Sequence, residues 1–107
     1  MDAVEAQVDA YNSHDLEAFV SCYAEEVVVK DADGNELVRG RERMRERYGR
    51  LFNESPSVQA EILTRIRLGR YVIDEERVTG RADGDLHAAV VYRLDEDGLI
   101  NRVLFLR

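Results

Sequence analysis

Past Ser55-Pro56 the hydrophobic period of this chain changes from helical to two-residue, and that switch limits the fold more than any single motif. Before the proline, Val4, Val8 and Tyr11 form one stripe of a helix expected over Asp2 to Asn12, with Asp2 placed to cap it. Ser13 or Asp15 can cap a second helix. Its core face is Leu16, Phe19, Val20 and Tyr23, and it is expected to end at Tyr23-Ala24-Glu25-Glu26. The β-branched run Val27 to Asp31 reads as a strand, Asp33-Gly34 as its turn and Leu37-Val38 as the return. A third helix, Arg41 to Phe52, buries Met44, Tyr48, Leu51 and Phe52.

From Val58 onward the alternation predicts four strands. Val58, Ala60, Ile62, Thr64, Ile66 and Leu68 share one face, and Glu61, Arg65 and Arg67 take the other. Gly69-Arg70, Gly80 to Asp85 and Asp95 to Gly98 are the turns that separate Tyr71–Thr79, Leu86–Leu94 and Leu99–Leu106. Helices followed by a meander specify an α+β class, with three N-terminal helices packed on a strongly curved, mostly antiparallel sheet. In Leu86–Leu94 both faces are apolar, Ala88 and Val90 against Ala89 and Val91, which is more than a water-facing sheet needs. A homodimer through the sheet is the expected partner.

The 107 residues suffice for one core, so residues 1–107 are read as one domain. A net charge of −7 argues against a nucleic-acid surface. The arginines at 39, 41, 43, 45, 47 and 50 are interleaved with Glu42 and Glu46 at helical spacing and read as a solvated face. Cys22 is the only cysteine and is expected to pack as a small hydrophobe. No apolar run is long enough for a membrane span, and a cytoplasmic location is the expectation.

Few residues suggest chemistry. Asp31 either solvates the turn through Asn35 or points into an apolar cavity, where desolvation would make it a competent general base. Gln7 flanks the buried stripe of the first helix, so its amide must bond the backbone or address a ligand. Tyr48 and Tyr92 lie on core-facing stripes and can offer hydroxyls to a carbonyl. Glu75 and Glu76 are neighbours on one strand, so one shares a face with Tyr71, Ile73 and Arg77: an exposed ion pair or a second pocket carboxylate. His14 and His87 are isolated, and there is no metal-ligand cluster, phosphate loop or serine elbow, so no cofactor or metal is implied.

Tyr11-Asn12-x-x-Asp15-Leu16, Tyr23-Ala24-x-x-Val27, Gly40-Arg41-x-x-Met44-Arg45-x-x-Tyr48 and Gly98-Leu99-Ile100-x-x-Val103-x-Phe105 together resemble the ketosteroid-isomerase-like, SnoaL-like and nuclear-transport-factor-like superfamily. The resemblance spans the whole chain and implies a cone with a central pocket. It places the isomerase base on Asp31, the oxyanion-hole phenol on Gln7 and the second oxyanion donor near Val90. Gln7, Tyr11, Phe19, Tyr48, Phe52, Val90 and Tyr92 are then the expected ligand-binding walls. Because each oxyanion donor is worth roughly 10²–10³ in rate, an amide and an alkyl group in those places imply a poor steroid isomerase. Two readings follow. One is a pocket that binds a small apolar ligand. The other is a cofactor-independent isomerase, cyclase or hydrolase acting on a small apolar carbonyl or polyketide-like substrate, with Asp31 as base.

Overall fold

Two aspartates start the first two helices: Asp2 accepts from the Glu5 N–H at 3.0 Å and Asp15 from the Ala18 N–H at 3.1 Å. The computed structural model describes all 107 residues, in the order α1 (Ala3–Ser13), α2 (Leu16–Val20), β1 (Tyr23–Asp31), β2 (Glu36–Arg39), α3 (Arg41–Glu54), β3 (Gln59–Leu68), β4 (Tyr71–Thr79), β5 (Leu86–Leu94) and β6 (Ile100–Leu106). His14 ends α1 in the left-handed region at φ 56°; its ring stacks on Phe52 and its Nε2 lies 2.8 Å from the Val58 carbonyl. None of the helices is long and apolar enough to cross a membrane.

The second helix is shorter than expected. It stops at Val20, and the strand starts at Tyr23 instead of Val27. Tyr23 pairs with Ile100, and the Ile100 N–H donates to the Cys22 carbonyl at 3.0 Å, so a partner from the far end of the chain overrides the local helical pattern. Cys22 is buried there, in the core.

Six strands form one mixed, unclosed sheet in the order β2-β1-β6-β5-β4-β3, antiparallel throughout except for the parallel pair β1–β6. The three helices cover its inner face, and Val4, Phe19, Met44, Val90 and Ile100 fill the space between. Asn12 fixes α1 to β3 by a two-way bond: its side chain donates to the Ala60 carbonyl at 2.9 Å and accepts from the Ala60 N–H at 2.7 Å.

A bulge in β3 corrects the expected division of its faces. Ile62 pairs with Glu76 but Thr64 pairs with Glu75, so Leu63 is the extra residue. One inserted residue exchanges the two faces beyond it. Arg65 therefore turns inward onto Asp74, and Arg67 reaches Asp2 and Glu5 of the α1 region. Ile66 and Leu68, expected with the core residue Val58, are instead 50% and 62% exposed on the outer face.

The β4–β5 turn is pinned to the segment after α3. Gly80 has φ +78°, and a Cβ there would lie 2.2 Å from the Ser57 carbonyl oxygen; the Ala82 N–H donates to the buried Ser55 hydroxyl at 2.9 Å. Arg81 is held between these two anchors.

Candidate functional site

Strand β4 turns Val72, Asp74, Glu76 and Val78 to the inner face, the reverse of what a water-facing carboxylate requires. Asp74 is fully buried and answered: Arg65 donates to its two oxygens at 2.7 and 2.9 Å. Glu76 is nearly as buried and has no such partner. Burial first, and the Asp74 charge second, push its pKa up from 4.5 to about 7.

Glu76 lines a cavity of about 160 Å³ between the helices and the sheet. Its apolar wall includes Val8, Phe19, Met44, Leu51 and Val103. Four phenols, those of Tyr11, Tyr23, Tyr48 and Tyr92, are among its polar groups. Tyr23 donates to Gln7 Oε1 at 3.1 Å and Gln7 Nε2 donates to the Tyr92 hydroxyl at 3.2 Å, a chain that leaves the Tyr92 proton free. Tyr11 and Tyr48 also line the cavity, their rings in edge contact at 6.3 Å. No buried side-chain nitrogen or oxygen lacks a partner, so the Glu76 carboxyl and the Tyr11 and Tyr48 hydroxyls, which bond no protein group, face open space. Burial raises all four phenols, Tyr48 to about 12, so each remains protonated and acts only through hydrogen bonds.

The sequence matches the model of the SnoaL-like domain over residues 4–103. The chain belongs to the SnoaL-like domain family. Among solved structures, a cystatin-fold protein from Novosphingobium aromaticivorans superposes with a TM-score of 0.89 at 27% identity, over 98% of this chain and 95% of that one. A candidate polyketide cyclase from Sinorhizobium meliloti gives 0.81 at 21% identity, over 96% and 92%. A protein with a ketosteroid isomerase-like fold from Catenulispora acidiphila, in complex with trimethylamine, gives 0.77 at 19% identity, over 98% and 84%. No curated protein matches the sequence.

Within this SnoaL-like domain, Gln7, Tyr11, Phe19, Tyr48 and Tyr92 all line the cavity. Phe52 and Val90 do not. Phe52 packs behind the wall against His14, Tyr11 and Phe19, and Val90 is fully buried opposite Asp74.

Asp31 is the larger correction. Its carboxylate accepts from the N–H groups of Asp33 and Asn35 at 3.0 and 2.9 Å and from the Asn35 side chain at 3.1 Å. Those bonds, the Asn35 side chain foremost, hold its pKa below the usual aspartate value. It is absent from the cavity wall, and a carboxylate saturated by a turn is a poor base. Asp31→Asn is expected to lower the thermal midpoint modestly and leave ligand binding in the cavity unchanged, which calorimetry and a binding titration would check.

Glu75 takes the exposed role open to one member of its pair, bonding Thr64 at 2.9 Å and His87 at 2.7 Å on the outer face. Among the basic residues, Arg45 pairs with Glu17 and Glu42, and Arg39 with Glu36. Arg47 has no ion pair and joins the cavity wall, a position that a reading of the helix as wholly solvated misses.

Proposed function

We propose that this SnoaL-like domain binds a small apolar molecule, of about one ring, in the cavity between its helices and sheet. The observation that carries this reading is the open apolar volume with unengaged phenol and carboxyl groups aimed into it. A cavity of ~150 Å³ in another protein holds one benzene. By that measure about 160 Å³ takes one ring and is too small for the four fused rings of a steroid. The two methionines provide the test, since Met44 lines the cavity and Met1 is exposed. With methyl-labelled methionine, toluene is expected to shift the Met44 resonance saturably and leave Met1 in place. A Met44 signal that stays fixed up to the solubility of toluene defeats the reading.

A second reading is favoured by one observation, the unpaired Glu76 with its pKa near neutrality. A carboxyl tuned to about 7 and bounded by phenol and amide donors is equipped to move a proton next to a carbonyl. The reaction class would be isomerisation, cyclisation or water addition, without a cofactor, and the base would be Glu76 in place of Asp31.

We propose further that a second copy of the chain covers the outer face of the sheet in a cytoplasmic homodimer. Support comes from Ile66, Leu68 and Tyr71, which are 50%, 62% and 43% exposed around the Thr64–Glu75–His87 cluster. Sedimentation at micromolar concentration is expected to give a dimer, and Ile66→Lys a monomer; a monomeric parent chain refutes the assembly.

A further inference from the structure

The cavity wall has the opposite sign of charge to the chain around it. The protein carries a net charge of −7, yet its cavity is lined by three arginines, at 47, 81 and 107, against the single carboxyl of Glu76. Two of these arginines are placed by the fold and are not engaged by it. Arg81 is fixed by Gly80 against Ser57 and by Ala82 against Ser55; its side chain is 22% exposed, makes no hydrogen bond, and has one ion pair, to the exposed Asp83 at 3.8 Å. Arg47 projects from α3 with no ion pair at all, although Arg45 two residues earlier has two. Arg81 lies close enough to Tyr11, and Arg47 to Tyr48, to offset part of the burial that raises those phenols. The two phenols are themselves in ring contact. Two guanidinium groups that bond no other side chain closely thus stand beside two phenol hydroxyls without a protein partner, all four lining one apolar hole.

Resting on the binding reading above, we propose that the ligand is an apolar carboxylic acid, its carboxylate held at the rim by Arg47 and Arg81 and its ring inserted toward Phe19 and Met44. A carboxylate supplies the acceptors that both guanidinium groups and the Tyr11 and Tyr48 hydroxyls lack. A neutral hydrocarbon fills the volume but offers none of these donors an acceptor.

The test uses phenylacetate and its neutral isostere phenylacetamide, read at the Met44 methyl. Phenylacetate is expected to bind about tenfold or more tightly than the amide at low salt, with the advantage shrinking at high salt. Arg47→Gln, on an exposed helix position, and Arg81→Gln are each expected to weaken phenylacetate several-fold more than phenylacetamide, whose carbonyl is only a neutral acceptor. Equal affinity for the two probes, or a preference that survives both substitutions, overturns the proposal and leaves a neutral pocket. If toluene moves Met44 and neither of these probes does, the carboxylate proposal fails alone; if toluene does not move it either, the binding reading fails with it.

Discussion

Arg65→Met is expected to destabilise the fold by about 3–5 kcal/mol, the largest single effect available on the inner face. The reason is the state of its partner. Asp74 is fully buried, its cross-strand neighbours are Arg65 and Val90, and Arg65 fills both carboxylate oxygens. Removing the guanidinium leaves an ionised group with neither water nor a counter-charge. Adding Asp74→Leu to Arg65→Met is expected to restore most of the loss, because a pair of apolar side chains carries no desolvation penalty. Urea unfolding of the parent, single and double variants measures all three. A single variant within about 1 kcal/mol of the parent would show the pair to be hydrated.

Glu76→Gln tests the opposite case, a buried carboxyl that lacks a counter-charge. Its native pKa of about 7 lies above the ordinary 4.5, so folding favours the protonated form. Below pH 4.5 the group is neutral whether the chain is folded or not, and it costs nothing. As pH rises from 4.5 through about 7 the unfolded chain gives up the proton first, and native stability falls. Each pH unit is worth about 1.4 kcal/mol, so the loss approaches roughly 3 kcal/mol and is complete above pH 7. Glutamine removes that dependence. The variant is expected to gain stability over the parent at pH 8 and to match it at pH 4, the reverse of the Arg65 result. On the proton-transfer reading it also loses catalysis. Ring opening of a benzisoxazole needs only one base to take a carbon-bound proton as the N–O bond breaks. The parent rate is expected to rise with pH through about 7 and to fall about 10²–10⁴-fold in Glu76→Gln. Unchanged ring opening in the variant would remove Glu76 from the chemistry and leave the pocket as a binding site.

The sequence disclosed the architecture more readily than the site because different distances control them. Caps such as Asp2 and turns such as Asp33-Gly34 act over three or four residues and can be read locally. The start of β1 at Tyr23 depends on Ile100, and no local pattern encodes that pairing. The β3 bulge left one trace, the adjacent apolar pair Ile62-Leu63 inside an alternating run, which an unbroken two-residue count passes over. Glu76 had a clearer signal, since it shares parity with Val72 and Val78, both buried. Asp31 was misplaced by resemblance. Its own neighbours, Asp33 to Asn35, spelled the turn that occupies its carboxylate.

The parallel contact of β1 with β6 has a consequence for how the protein is made. Strand β6 is the only bridge between the β1–β2 hairpin and the β3–β4–β5 meander, and it is the last element of the fold in chain order. During synthesis the ribosome therefore releases two separate half-sheets, each with an unpaired strand edge, and the keystone emerges only afterward. Loop closure between the two ends of the domain must precede the final pairing, so the β1–β6 contact carries the largest chain-entropy cost in the sheet. The nascent chain is thus most exposed to mispairing just before its last strand is free to insert.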